Sequence, residues 1–253
     1  MRLEVDIATK CARLCCAVYP PAVANGYSEG EPSDVDAFAH AARAVGLSFV
    51  DFAAIEATGT ELGIARDAAR RRLFIAIRGT AGIRDIITDA CAWRRRVVSP
   101  NGKTWHIHTG GLSAARSSYA AIASAMARHR ADRVILTGHS LGGMVARILR
   151  AMLPMAKADA VLWRPLHCFT FGSPRPGCRQ LAADIQTQPG ADYRIEHATD
   201  PVVYVPGALS ALTPWPRYKH AGEKCPHPTD RRGLAAHACA HYLTTTEIAG
   251  KNN

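Results

Sequence analysis

Val134-Ile135-Leu136-Thr137-Gly138-His139-Ser140-Leu141-Gly142-Gly143 is the stretch from which this chain can be read. Three branched or long apolar residues open it, as in a short strand covered on both faces. Gly-x-Ser-x-Gly follows, and after it a helical pattern runs over 141–153 and stops near Pro154. Strand, sharp turn and helix together give the serine a specific setting. At such an elbow the serine backbone is strained, and the residues two before and two after approach other backbone closely. Gly138 and Gly142 have no Cβ to obstruct that approach, and His139 stands between Gly138 and the serine. The elbow exposes Ser140 Oγ and turns the N–H of Leu141 toward the same point. The positive end of the following helix lies there too. The pattern predicts a nucleophilic serine.

Working outward, the same kind of apolar run recurs at 73–77, and two further buried strands are expected over 167–171 and 193–197. Two further strands are expected over 47–57 and 61–66. Helical periodicity marks 4–19, ended by Pro20-Pro21, and 35–46, capped by Ser33 or Asp34 and stopped at Gly46. An Ala-rich helix is expected over 112–130 and a last one over 234–248. Alternating strands and helices predict an α/β fold with a mostly parallel central sheet flanked by helices. No repeat or low-complexity linker interrupts it, so 1–253 reads as a single domain. Ligands of such sheets sit beyond the carboxyl ends of the strands. That directs attention to the residues after 77, 136, 171 and 197.

Composition narrows the class. Of 253 residues, 48% are hydrophobic and 21% charged, enough to build a core and too apolar for a disordered chain. No apolar run is long enough for a transmembrane segment. The charged start, Met1-Arg2-Leu3-Glu4-Val5-Asp6, lacks the apolar stretch of a secretion signal, so a cytoplasmic location is expected, with export without a cleaved leader as the alternative. The net charge is +10, with Arg triplets at 70–72 and 94–96. No nucleic-acid motif surrounds them, so the excess reads as a general basic surface, or one drawn to anionic lipid, with no nucleic-acid partner. The eight cysteines do not have metal-ligand spacing and read as mostly reduced, buried side chains.

A serine nucleophile needs a base, an orienting carboxylate and an oxyanion hole. The strand at 73–77 runs into Arg78-Gly79-Thr80, where Gly79 permits a turn and the N–H of Thr80 can join that of Leu141 as oxyanion donors. Asp200 follows the strand at 193–197 and precedes Pro201, which keeps it out of helix. Its rival, Asp192, precedes the same strand and falls at the wrong end. The base must come later, from His220, His227, His237 or His241.

Taken together, the blocks resemble the class 3 lipase family of α/β-hydrolases, which includes fungal triacylglycerol lipases. Ile75-Ala76-Ile77-Arg78-Gly79-Thr80 resembles its apolar-strand-Arg-Gly-Thr block, and Ile83-Arg84-Asp85-Ile86-Ile87-Thr88-Asp89 its Ile-Arg-Asp-Trp segment. Similar correspondences hold for His108-Thr109-Gly110-Gly111-Leu112, Gly138–Gly143, Phe169–Gly177, His197–Val202 and Tyr218–Gly222, in family order. Gly111 stands where the family has an aromatic and Ile86 where it has Trp, departures that bear on the acyl pocket or lid. The resemblance implies an α/β-hydrolase fold and ester hydrolysis without a metal or cofactor. It also selects the base, because the family histidine stands five residues before a Tyr. His237 has that spacing from Tyr242, His241 does not, and a shorter fungal spacing would fall on Cys239. His220 resembles a structural histidine of the family.

Ile83, Ile86, Ile87 and Ala90 share one face of a short amphipathic helix after the oxyanion loop. In resembling lipases a helix here is a lid, and Trp93 beside Arg94–Arg96 suits peripheral contact with a lipid surface. The expectation is a serine carboxylic-ester hydrolase acting on a triacylglycerol, an acylglycerol or another acyl ester through a Ser140-Asp200-His237 triad. Its rivals are a phospholipase or membrane-lipid-targeting effector and a non-catalytic lipid-binding pseudo-hydrolase.

Overall fold

The computed structural model describes residues 4–20, 34–79, 94–99, 102–155, 165–207 and 217–243. Thr80 and the lid positions Ile83, Ile86 and Ile87 lie outside the described residues, as does Cys91. Two helices come first, α1 (Val5–Ala17) and α2 (Val35–Ala44). Asp34 caps α2, its carboxylate accepting from the N–H groups of Asp36 and Ala37 at 2.9 and 3.0 Å. The strands β1 (Ser48–Ile55), β2 (Thr60–Asp67) and β3 (Arg72–Ile77) follow, then β4 (Arg94–Val98), β5 (Thr104–His108) and the long α3 (Thr109–Arg128). Next come β6 (Arg133–His139), α4 (Leu141–Met152), β7 (Leu166–Phe171), β8 (Gly177–Cys178), α5 (Arg179–Gln186) and β9 (Asp192–His197). The chain closes with β10 (Tyr218–Lys219), β11 (Glu223–His227) and α6 (Leu234–His237).

Seven strands form the main sheet in the order β1-β2-β3-β6-β7-β9-β11. The pairs from β3 through β11 are parallel, and β1 and β2 add antiparallel strands at one edge. This is the mostly parallel α/β arrangement that the alternation predicted. Successive side chains of a strand face opposite ways. On β3, Leu73, Ile75 and Ile77 therefore join the core under α3, α4 and α5, with Leu112, Ile122, Val145, Ile148 and Leu181. Phe74 and Ala76 point into a second core with Ile7, Cys11 and Leu14 of α1 and Phe38 of α2. Two helical layers thus cover the central strands, which explains their unbroken apolar sequence.

Three features went beyond the sequence reading. The strands β4, β5, β8 and β10 make a second, four-stranded sheet. β11 extends the main sheet beside β9, and α5 packs beneath it through Leu181 and Ile185. The helix expected over 234–248 is instead interrupted: α6 ends at His237, Ala238 is extended at ψ 132°, and helix resumes over 239–243. The break is what turns His237 toward the sheet.

Candidate active site

Ser140 stands between β6 and α4 with φ 55° and ψ −130°, a backbone conformation that a residue with a Cβ seldom adopts. The surrounding packing imposes it. A Cβ on Gly138 would lie 2.3 Å from the main chain of Gly142, and one on Gly142 would lie 2.1 Å from the Ile77 carbonyl oxygen. The Ser140 N–H donates to the Phe171 carbonyl at 3.0 Å, fixing the elbow to the end of β7. Its own carbonyl accepts from the N–H groups of Gly143 and Met144 at 3.0 and 3.3 Å. Leu141 begins α4, and helix-leading N–H groups have no carbonyl a turn behind them. Ser140 is 2% exposed, and its Oγ has no hydrogen-bond partner among the described residues.

Asp200 and His237 meet beside this elbow, at the carboxyl ends of β7 and β9. His237 Nδ1 lies 2.7 Å from Asp200 Oδ2, with both side chains buried. The Tyr242 hydroxyl donates to the same carboxylate oxygen at 2.8 Å, and the Val202 N–H donates to the other at 2.9 Å. Burial pushes the Asp200 carboxyl up, but the hydrogen bond and charge of His237, with Tyr242 and Val202, more than offset it. The carboxyl ends below its ordinary range. Gly172, at φ 54°, leaves room for this pair: a Cβ there would come within 3.0 Å of Asp200, His237 and Tyr242 together. His237 Nε2, like Ser140 Oγ, is buried without a partner among the described residues.

A third histidine joins the two halves. The His139 ring lies 4.5 Å from that of His237, and its Nε2 is 2.7 Å from the His237 main-chain oxygen. A carbonyl only accepts, so Nε2 carries the proton and Nδ1 is left to accept from the Tyr19 hydroxyl at 3.2 Å. The Tyr19 oxygen in turn accepts from the Gly79 N–H at 3.0 Å, at the mouth of the oxyanion loop. Burial, then the neighbouring His237, push His139 down to about 3, so it stays neutral. The sequence reading placed His139 at the elbow and passed over Tyr19. Nothing in sequence spacing joins Tyr19 to residues 79 and 139.

The other expected positions sort cleanly. Asp192 begins β9 and pairs with the buried Arg147 at 2.7 Å, away from His237. His220 Nε2 donates to the Val203 carbonyl at 2.7 Å, anchoring the turn after Asp200, and burial followed by Arg194 pushes it down to about 2. His241 follows the interruption at Ala238, and it is His237 that meets the Asp200 carboxylate. At Gly111 a Cβ would sit 2.7 Å from Met144 Sδ and 2.9 Å from Ile148 Cδ1, so its smallness serves packing of α3 on α4. No cluster of metal-ligating side chains occurs among the described residues.

Residues 74–210 match the model of the family described as Lipase (class 3). A secreted mono- and diacylglycerol lipase of Fusarium solani is 34% identical over 155 residues, 59% of this chain and 44% of that protein. The chain thus spans less than half the length of this curated relative. Among solved structures, Rhizomucor miehei triacylglyceride lipase superposes with a TM-score of 0.70 at 21% identity, covering 90% of this chain and 81% of the other. A lipase from Rhizopus microsporus var. chinensis gives 0.68 at 21% identity, covering 96% and 83%. At that identity the structural likeness establishes the fold.

Proposed function

The chain belongs to the class 3 lipase family, and from that premise we propose that it hydrolyses carboxylic esters of the acylglycerol type through an acyl-serine intermediate. The observation that carries the reading is the Asp200-fixed ring of His237 packed on His139 next to the elbow serine, with Ser140 Oγ and His237 Nε2 both buried and without a partner among the described residues. Ser140 Oγ attacks the ester carbonyl while His237 Nε2 takes its proton. Asp200 holds Nδ1 protonated and stabilises the imidazolium. The N–H of Leu141, with that of Thr80, receives the oxyanion; each such donor is worth about 3 kcal/mol in the transition state. His237 then returns the proton to the leaving alcohol, and water releases the fatty acid by the same steps reversed. No step calls for a metal or cofactor.

Residues 1–253 act in this reading as one catalytic domain, supported by two cores built on opposite faces of a single sheet. The substrate is an acyl ester presented by a lipid phase, with Ile83, Ile86 and Ile87 as the lid face and peripheral contact with the lipid surface. A fungal lipase–inhibitor complex of 21% identity provides a model for interfacial activation in lipases, which supports the lid reading. No helix among the described residues is long and apolar enough to cross a membrane. The secreted Fusarium relative favours the exported alternative over a cytoplasmic location. A second reading, a phospholipid substrate, is favoured by the exposed Arg95 and Arg96 on β4, where anionic headgroups would bind.

The test is hydrolysis of p-nitrophenyl esters from C2 to C16, with Ser140→Ala alongside and fluorophosphonate labelling of the wild type. Turnover peaking at C8 or longer, abolished by the substitution, is the expected result. A protein that binds lipid without turnover and leaves Ser140 unlabelled would overturn it.

A further inference from the structure

We propose that Cys16 and Cys239 form a disulfide bond that ties the last turn of α1 to the segment carrying His237. The two Sγ atoms lie 2.7 Å apart although the residues are 223 positions apart in sequence. Only a small movement separates that approach from bonding distance. Neighbouring thiols are engaged elsewhere: Cys15 Sγ meets Thr137 Oγ1 at 3.1 Å, and Cys178 Sγ accepts from the His106 N–H at 3.3 Å. Both Cys16 and Cys239 are buried in the core that α1 shares with Tyr242.

The position gives the bond a purpose. Cys239 comes two residues after His237, and Cys16 three before Tyr19, whose hydroxyl joins Gly79 to His139. Within the described residues, the segment after Ala238 is a single short helical stretch, 239–243. A covalent link there holds the base against Asp200 from one side and the Tyr19 relay from the other.

The oxidant is a low-molecular-weight disulfide. The Cys16 thiolate attacks one of its sulfurs, forming a mixed disulfide and releasing one small thiol. The Cys239 thiolate then attacks the Cys16 sulfur and displaces the second. Two protons and two electrons leave the protein, and the oxidant's sulfur–sulfur bond becomes two thiols. Burial, then the Cys16 thiol, push Cys239 up, so the exchange takes place during folding, before α1 is sealed over it.

The test refolds the reduced full-length chain in a glutathione redox pair, traps it with iodoacetamide in denaturant and maps the peptides without reduction. A Cys16–Cys239 linked peptide, with six of the eight cysteines alkylated, is expected. Alkylation of both residues, or pairing of Cys239 with Cys15, overturns the proposal. Thermal unfolding gives a second readout. Reductant should lower the wild-type Tm by about 10 °C, because the link closes almost the whole chain, and leave a Cys16→Ser/Cys239→Ala protein unmoved. Equal insensitivity of both proteins overturns it. Neither measurement depends on turnover, so the ester-hydrolase reading and this one fail separately.

Discussion

His139 Nε2 donates to the main-chain oxygen of His237 at 2.7 Å, so the residue beside the nucleophile also holds the backbone of its base. Its other ring nitrogen accepts from Tyr19, which accepts from Gly79. The relay touches the elbow, the base and the oxyanion loop without touching the reacting atoms. His139→Phe keeps the ring packing and loses both hydrogen bonds. It should lower kcat by roughly 10-fold or more with KM little changed, because the loss is of alignment. Tyr19→Phe strands the Gly79 N–H and should act in the same direction. A fall confined to KM in ester kinetics would remove the positioning role.

The glycines of the elbow separate steric need from turn geometry. Gly142→Ala forces a Cβ to 2.1 Å from the Ile77 carbonyl oxygen, where backbone cannot yield. Gly102→Ala, at φ 80° with nothing within 4 Å, meets only backbone strain. Urea unfolding should show a loss of about 1 kcal/mol for Gly102→Ala. For Gly142→Ala it should show more than about 4 kcal/mol, or no folded protein. Equal losses would mean that the elbow has room to relax.

The central strands β3 and β6 were legible because both faces are covered: 73–77 and 134–136 are apolar without alternation, and no solvent face dilutes the signal. Ser140 was legible because steric demand leaves glycines at fixed positions. β5 carried a weaker version, with buried Trp105 and Ile107 alternating with half-buried His106 and His108. β4 is mostly arginine and pairs with residues 104–108 at the edge of its sheet, so no apolar pattern announces it. The reason His237 stands five residues before Tyr242 was hidden as well. The interruption at Ala238 lets both side chains reach Asp200 Oδ2, and no periodicity announces it.

Tyr242 provides a graded test of the carboxylate. Asp200 sits below its ordinary range, so the interactions that need it ionised are present above the unfolded-state value near 4 and are lost only as pH falls through the lower folded value. Tyr242→Phe removes one hydrogen bond to Oδ2 and should move that acid limb upward, with less than about a 10-fold loss of kcat at neutral pH. Asp200→Asn should cost about 10⁴ in kcat, because it stabilises the wrong imidazole tautomer. Urea unfolding against pH reads the limb in Tyr242→Phe, and kcat at neutral pH for the two variants reads the losses. A limb that stays in place in Tyr242→Phe would show that the phenol does not tune the carboxylate.

Acid sensitivity of the fold should come from histidines outside the Asp200 pair. His139 and His220 are pushed down to about 3 and 2 by burial. The native state therefore keeps both neutral while the unfolded chain protonates them near pH 6.5. Between those values the unfolded state binds more protons, so stability falls as pH falls. From pH 6.5 to 5 the two together should remove about 3 kcal/mol. His227, pushed down to about 4 by burial and His197, adds in the same direction. Urea unfolding at the two pH values measures the loss directly. His220→Asn offers the Val203 carbonyl a donor that does not titrate, and should remove about a third of the slope these three rings produce. A wild-type stability that is level across this range would mean that the buried rings gain their protons without unfolding. The relay through His139 would then have to be redrawn with both of its ring nitrogens as donors.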